Sequence, residues 1–184
     1  MSRLSQVRVY IFGASGTGTT TLGASVASEL SLPHIDSDDH YWAPVEPPFS
    51  AKRALQDRIA SMSKALGDEG WVLSGACHGW GKNLIDQASL IVFMTQPTPI
   101  RIERLRAREK ARFGNRIDEG GDMFEIHKDF IAWAKGYNAP GFHGRNLAAH
   151  EKWLDDQSTP VCRIAGPQGL EEARDIVLAA LDGV

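Results

Sequence analysis

The chain has 184 residues, a formal net charge of −3 and 42% hydrophobic residues, which predicts one domain over residues 1–184 with a sizeable core. The acidic balance argues against a nucleic-acid binder or a membrane-surface protein, and no apolar run approaches membrane-spanning length. The cysteines Cys77 and Cys162 form no disulfide framework or metal spacing, and no signal peptide is visible, so we expect free thiols and cytoplasmic localisation.

The first predicted elements are a strand, a glycine-rich loop and a helix. An apolar run from about Val7 to Phe12 ends at Gly13, and a helical pattern runs from about Gly18 to Leu30. The spacing of the two glycines, with a hydroxyl at Thr20, matches the phosphate-loop rule except that position 19 is Thr instead of Lys. We still expect the loop to attract phosphate, because glycines turn backbone N–H groups inward and the helix N-terminus adds positive potential.

Two other interpretations of this loop stay open. Gly13, Gly16 and Gly18 follow a strand, and Asp36 lies at about the distance of a ribose-binding carboxylate in a nicotinamide-dependent reductase. The third glycine comes one residue early for that fingerprint, and no Tyr-x-x-x-Lys pair follows. A glycine turn without a ligand is the second interpretation. The run from Thr19 to Thr21 favours the phosphate loop, because hydroxyls at a helix start serve phosphate and Mg²⁺.

A short second strand, His34-Ile35, leads into a polar segment that contains Asp36 and Asp38. Carboxylates at a strand end beside a phosphate loop lie where open α/β sheets bind ligands. A polar loop with helix-capping aspartates is the alternative. We place the acceptor-binding region at about residues 37–70.

Within that region, Ser50 is expected to cap a helix from about Ala51 to Leu66. Lys52 and Arg53 would then lie in its first turn, where cations are unfavourable. Either they point to solvent or an anion lies nearby. Two more strands follow, Trp71 to Ser74, which ends at Gly75, and the wholly apolar run Leu90 to Met94, which is typical of a central parallel strand.

A helix that opens at about Thr98 carries the clearest charge run. Glu103 and Glu109 oppose seven cations, namely Arg101, Arg104, Arg106, Arg108, Lys110, Arg112 and, past the helix end, Arg116. A solvated face is the usual explanation, but here the rest of the chain is net acidic. Because glycines follow at positions 114, 120 and 121, we predict an arginine-rich lid at about residues 109–122 that closes on phosphates.

The last third of the chain completes the alternation of helices and strands. We expect helices from about Met123 to Trp133 and Arg145 to Leu154, a fifth strand from Pro160 to Ile164, and a last helix. That last helix would direct four residues inward, Leu170, Ala173, Val177 and Leu181. The predicted class is α/β with a parallel doubly wound sheet.

At this point the chain resembles the nucleoside-monophosphate and small-metabolite kinases of the P-loop class, among them adenylate kinase and shikimate kinase. It looks most like uncharacterised bacterial adenylate-kinase-like ATPases of the FlaR type. Six segments carry the resemblance: the loop Gly13 to Gly23, Ile35 to Asp38, Asp38 to Trp42, Leu73 to Gly75, the pair Arg104 and Arg108, and His150 to Leu154.

The resemblance implies a three-layer α/β/α P-loop fold with a five-stranded parallel sheet, and ATP-dependent phosphoryl transfer to a small metabolite or nucleotide with Mg²⁺. The implied nucleotide-binding residues are Gly13, Ala14, Ser15, Gly16, Thr17, Gly18, Thr19, Thr20, Thr21 and, stacking on adenine, Arg104. Thr20 would hold Mg²⁺, with Asp36 acting through a water. The implied catalytic residues are Asp38, Arg108 and Arg112, and the acceptor would contact Asp38, Arg53 and Gly75.

Thr19 is the departure from the family pattern, because a phosphate-loop lysine stabilises charge on the transferring group. The alternative function is therefore a nucleotide-binding degenerate kinase or regulatory ATPase with little turnover. The expected partners are a nucleotide and a small-molecule acceptor, and the protein is expected to be a monomer or a homodimer. The pattern does not distinguish ATP from GTP.

Overall fold

A five-stranded parallel sheet forms the centre of the computed structural model, which describes residues 6–183. In chain order the strands are β1 Arg8–Gly13, β2 His34–Asp36, β3 Trp71–Ser74, β4 Leu90–Thr95 and β5 Val161–Ala165. The spatial order is β2-β3-β1-β4-β5, and every neighbouring pair is parallel. The predicted five-stranded α/β sheet is confirmed, although β1 starts and ends one residue later than predicted.

Eight α-helices connect and cover the strands within residues 6–183. They are α1 Thr19–Leu30, α2 Ser37–Tyr41, α3 Leu55–Leu66, α4 Lys82–Ile85, α5 Thr98–Phe113, α6 Phe124–Lys135, α7 Leu147–Asp155 and α8 Leu170–Asp182. Short 3₁₀ helices, Gly114–Ile117 and Gly136–Asn138, follow α5 and α6. In the part of the chain described, no helix has the length and apolar character needed to cross a membrane.

The strands separate two apolar cores because their side chains alternate between the faces of the sheet. From β1, Tyr10 and Phe12 enter one core together with residues of α3, α4 and α7. Val9 and Ile11 enter the other core, against α1 and α8. Both faces are therefore covered by helices, which confirms the predicted three layers and explains why β1 and β4 read as continuous apolar runs.

The strand order also decides between two interpretations of the glycine loop. In the dinucleotide-binding fold, the second strand in sequence lies directly beside the first. Here β3 lies beside β1, and β2 is outside it. The order therefore argues against the nicotinamide-dependent reductase.

Two local predictions were wrong. Helix α3 begins at Leu55, not at Ala51, and the Ser50 hydroxyl donates to the Pro47 carbonyl at 2.6 Å instead of capping the helix. Because α3 starts at Leu55, Lys52 and Arg53 precede the helix. Lys52 instead forms an isolated antiparallel β-bridge with Trp42. The argument that their place in a first turn indicates a nearby anion therefore fails.

The last helix was also described incorrectly at its start. Leu170 was expected to point inward, but it is 45% exposed, whereas Ala173 and Val177 are buried. Leu170 is the first residue of α8, so it extends past the edge of the core that the next turns cover.

Candidate functional site

The loop between β1 and α1 lies at the C-terminal edge of the sheet. Gly18 is the N-cap of α1 with φ +100°, a backbone region that glycine occupies without steric cost. It provides no capping side chain, so the first-turn N–H groups of Thr19, Thr20 and Thr21 have no intrahelical acceptor. These groups, at the positive end of the helix dipole, are suited to holding an anion.

Thr17 has a different place from its neighbours in the loop. Its backbone N–H and its hydroxyl both donate to the Ala14 carbonyl, at 3.2 and 2.8 Å, and its side chain is buried. Both groups thus close the loop on itself instead of facing a ligand. Thr17 supports the loop conformation, and its predicted contact with a nucleotide stays a prediction.

Thr20, from α1, and Asp36, from the end of β2, lie next to each other in the structure. The Thr20 hydroxyl donates to Asp36 Oδ2 at 2.7 Å, and Asp36 Oδ1 accepts the Asp38 backbone N–H at 3.0 Å. Asp36 is therefore also the N-cap of the short helix α2, which agrees with the alternative interpretation that an aspartate of this segment caps a helix. Hydroxyl and carboxylate oxygens are ligands that Mg²⁺ accepts.

A cation at this point would need further ligands. Within residues 6–183, no group of three or more His, Cys, Asp or Glu side chains could hold a metal ion. Mg²⁺ commonly keeps several waters and binds through one or two protein ligands plus substrate phosphates. The Thr20–Asp36 pair fits that kind of site.

Gly75, at the end of β3, allows α2 to approach the sheet. It has φ +94°, and a Cβ there would overlap Ser37 Oγ and lie 3.4 Å from Asp36 Oδ1. Its N–H donates to the Ile11 carbonyl at 3.0 Å. The glycine therefore sets how closely Asp36 and the start of α2 lie against the end of β3.

Asp38 is exposed to solvent, but nearby protein atoms partly desolvate its carboxyl group. This partial desolvation, and then the Asp36 carboxylate, raise the pKa of Asp38, while the charges of Arg145 and Arg108 act in the opposite direction. A carboxyl whose pKa is raised in this way is a better proton acceptor once it ionises.

The predicted arginines occupy different environments. Arg104 lies against the loop, with Nη1 3.5 Å from the Thr17 carbonyl oxygen. Arg108 forms an ion pair of 3.0 Å with the buried Glu109, and its own side chain is 54% exposed. Arg112 instead packs over the Phe49 ring, 4.9 Å from its centroid, so it lies against the segment of residues 37–70. Arg53 donates to the Trp42 carbonyl at 2.9 Å.

The predicted lid segment is folded compactly here. Its glycines belong to turns around the 3₁₀ helix Gly114–Ile117, and a Cβ at Gly121 would overlap the Arg116 carbonyl oxygen. Arg116 forms ion pairs with Asp122 of the same segment and with Glu46, and the second pair ties this segment to residues 37–70. Closure of this segment on a ligand stays a prediction.

Arg145 was missed as a site residue because the sequence placed it inside a helix. It lies just before α7, whose N-cap is Asn146, and its guanidinium is 5.4 Å from the Trp133 ring centroid. The pKa values of Asp38 and Tyr137 are both raised overall, and the positive charge of Arg145 acts against this rise in each case. The available signal was an arginine directly before a good N-cap residue.

A buried histidine pair lies behind the site. His150 is 1% exposed and its Nδ1 is 2.8 Å from the Tyr137 hydroxyl, while the His78 ring lies 4.9 Å from the His150 ring. Burial is the main cause that lowers the pKa of His150 to about 3 and that of His78 to about 4. Both rings are therefore neutral at physiological pH.

The neutral state of His150 has a consequence for stability against pH. The pKa of His150 in the folded protein, about 3, lies below the ordinary value of about 6.5. Between these two values the unfolded chain binds a proton at His150 and the folded chain does not. We expect stability to be full above about pH 6.5 and to fall towards pH 3, with a slope for this residue of up to about 1.4 kcal/mol per pH unit.

The measurement is urea unfolding of the wild type and two variants between pH 4 and 8. His150→Gln should flatten the dependence on pH, whereas His143→Gln, at an exposed position, should leave it unchanged. Equal pH dependence in the wild type and His150→Gln would show that His150 is not its source.

Other features of the molecule do not compete with this site. Cys77 is buried, which raises the pKa of its thiol to about 12, so it is a poor nucleophile. A surface groove of about 410 Å³, lined by residues 30–33 and 66–70, lies at the opposite end of the sheet. We assign the site from the strand ends and the loop, because that groove brings together no set of reactive side chains.

Comparisons with solved structures show which fold the chain has. A gluconokinase from Sinorhizobium meliloti 1021 has a TM-score of 0.51 at 16% identity, with 97% of this chain and 93% of that chain covered. A shikimate kinase from Bacteroides thetaiotaomicron has a TM-score of 0.52 at 18% identity, covering 96% and 98%. A sugar kinase from Janibacter sp. HTCC2649 has a TM-score of 0.54 at 16% identity, covering 96% and 94%. At these identities the likeness concerns the fold, and the chain has the P-loop kinase-like α/β fold.

The family itself follows from a sequence relative. The chain is 42% identical over 171 residues to the uncharacterized protein YqaC of Bacillus subtilis (strain 168), covering 92% of this chain and 94% of that protein. The chain belongs to the YqaC family. It matches no protein-family profile.

Proposed function

We propose that the protein is an ATP-dependent small-molecule kinase that transfers the γ-phosphoryl group of ATP to a small metabolite or nucleotide. The observation that carries the proposal is the 2.7 Å hydrogen bond between Thr20 and Asp36, with Asp38 hydrogen-bonded to the same carboxylate. It joins an anion-binding loop, a pair of oxygen ligands and a candidate proton acceptor at one edge of the sheet. Solved structures with this fold include proteins named as shikimate, gluconate and sugar kinases.

Each part of the site has a role in this proposal. The first-turn N–H groups of α1 hold phosphate oxygens, and Arg104 packs on the nucleotide beside the loop. Thr20 and Asp36 would hold Mg²⁺, the aspartate through a water. When bound, that ion supplies charge neutralisation at the phosphates. Asp38 orients the acceptor hydroxyl and accepts its proton.

The acceptor side is assigned by charge. The positive charges of Arg145 and Arg108 both oppose the net rise in the pKa of Asp38, so both charges favour the ionised carboxylate. We assign Arg108 to the transferring phosphoryl group, because it lies on α5 with Arg104. Arg145 is then available for an anionic group of the acceptor, which would be a small molecule with a hydroxyl and a carboxylate or phosphate.

The second candidate function is a nucleotide-binding regulator with little turnover, and Thr19 is the observation that favours it. Both candidates require ATP binding, so they differ only in phosphoryl transfer. Single-turnover assays with radiolabelled ATP and a panel of hydroxy acids, sugar acids and nucleoside monophosphates separate them.

The first test is calorimetric titration of ATP with and without Mg²⁺. We expect Asp36→Asn to remove most of the Mg²⁺ dependence, because the amide lacks the carboxylate charge. Asparagine is as good an N-cap as aspartate, so α2 should persist. Asp39→Asn, three residues past the end of β2 and exposed, is the matched control and should keep the dependence.

The outcome that contradicts the proposal is equally direct. Binding of NADPH without binding of ATP would restore the reductase. ATP binding that ignores Mg²⁺ in the wild type would contradict the assigned roles of Thr20 and Asp36.

A further inference from the structure

Arg101 is a buried cation beneath the phosphate loop. It lies in the first turn of α5, its side chain is 0% exposed, and no carboxylate of residues 6–183 forms an ion pair with it. Burial lowers the pKa of Arg101, but a guanidinium remains protonated in proteins. A buried charge is normally paired, so this one needs an explanation.

The partners of the guanidinium are neutral groups. Nη1 donates to the carbonyls of Ser15 and Ala134 at 3.1 and 3.3 Å, and Nη2 donates to Thr98 Oγ1 and Asn138 Oδ1 at 3.1 and 3.3 Å. Nε is buried without a partner among the described residues. These dipoles, among them the negative end of α6 at Ala134, hold the group in place but leave its positive charge uncancelled.

The same residue touches the loop twice. The guanidinium binds the Ser15 carbonyl, and the Arg101 carbonyl oxygen lies 2.6 Å from the point where a Cβ on Gly16 would be. The positive charge is therefore fixed against the loop from the protein side. Arg106, which is exposed on the same helix, forms no hydrogen bond with the described residues of the loop, whereas Arg104 reaches the Thr17 carbonyl oxygen at 3.5 Å.

We propose that Arg101 is a positioning residue that fixes the phosphate loop and that its uncancelled charge attracts the ligand's phosphates, in partial replacement of the lysine that Thr19 displaces. This inference depends on the proposed nucleotide binding. The charge acts through low-dielectric protein, where it is screened less than a surface charge. The effect of the Arg101 charge on binding affinity must therefore grow with the negative charge of the ligand.

Asn138→Asp gives the sharpest test, because it puts a carboxylate where the amide oxygen is 3.3 Å from the guanidinium. The arginine and the loop keep their contacts, but the charge is neutralised by a partner. We expect the melting temperature to stay equal or rise, while affinity for ATP without Mg²⁺ falls about three- to tenfold. Affinity for ADP should fall less, and affinity for adenosine should not change.

Substitutions of the arginine itself complete the test. Arg101→Met should lower ATP affinity tenfold or more, Arg101→Lys should lower it less, and Arg106→Met on the same helix should change it by less than twofold. A residue with only a structural role would give equal losses for methionine and lysine and no dependence on ligand charge.

The outcomes separate this inference from the proposed function. If the wild type binds neither ATP nor inorganic tripolyphosphate, both are wrong. If the wild type binds ATP and Asn138→Asp binds it equally well, the proposed function stands and the role of the Arg101 charge is overturned. Should Arg101→Met fail to fold, Asn138→Asp and Arg101→Lys still decide between these outcomes.

Discussion

Replacing Asp38 with asparagine is expected to lower the rate of phosphoryl transfer by about 10²–10⁴-fold, the range that removal of a positioned general base typically produces. The variant should keep ATP affinity within about threefold, because the nucleotide contacts belong to the loop and Thr20 rather than to Asp38. The measurement is single-turnover transfer from radiolabelled ATP, together with calorimetric ATP binding.

The matched control is Asp39→Asn, which removes an equal charge from the next residue of α2 and should leave the transfer rate within about twofold. The wild-type rate should rise with pH as Asp38 ionises, and the acid limb should lie above the ordinary aspartate pKa of about 3.9, because the pKa of Asp38 is raised. An unchanged rate in Asp38→Asn would show that the carboxylate is structural.

Replacing Arg108 with alanine is expected to reduce ATP affinity or turnover by about ten- to a hundredfold and to reduce ADP affinity far less. A charged hydrogen bond is worth about 1.5–3 kcal/mol, and a γ-phosphate contact exists only with ATP. The Arg108 side chain is 54% exposed and bound only to Glu109 among the described residues, so it is free to turn toward a phosphate. Arg106→Ala, also exposed on α5, is the control and should have little effect.

A gain-of-function variant tests the same idea in the opposite direction. Thr19→Lys places an ammonium at the first residue of α1, where the phosphate-loop rule has lysine. We expect stronger ATP binding and a partial rescue of Arg108→Ala. Weaker ATP binding in Thr19→Lys would mean that the threonine suits another ligand or loop conformation, and that the arginines do not replace the lysine.

The sheet and the loop were predictable because their signals are local. Strands such as β4 are continuous apolar runs between turn residues, and their length and burial on both faces leave few alternatives. The spacing of Gly13 and Gly18 fixes the loop for the same reason, since a strand, a turn and a helix start within a few residues. The pairing of Thr20 with Asp36 followed from the rule that strand ends meet at one edge of the sheet.

The errors occurred where distant residues decide the structure. Helix α3 starts late because Lys52 pairs with Trp42, an arrangement that outweighs a favourable cap residue at Ser50. The place of Arg101 depends on Ser15 and Asn138, which lie far from it in sequence, so it looked like one more member of a solvated charge run. Arg145 was missed because a shift of two residues in a helix start changes a helix-face residue into a loop residue.

The strand order has a consequence for how the chain folds. The central strand β1 is the first of the five strands to be synthesised, but its partners begin at Trp71 and Leu90 of a chain of 184 residues, so it has no neighbouring strand until well over a third of the chain exists. Closing such long loops costs entropy before any pairing compensates for it, so sheets of this kind fold slowly for their size. Until β3 and then β4 are available, Val9 to Phe12 form an apolar segment of the nascent chain without its neighbouring strands, and this stage is the one most exposed to aggregation.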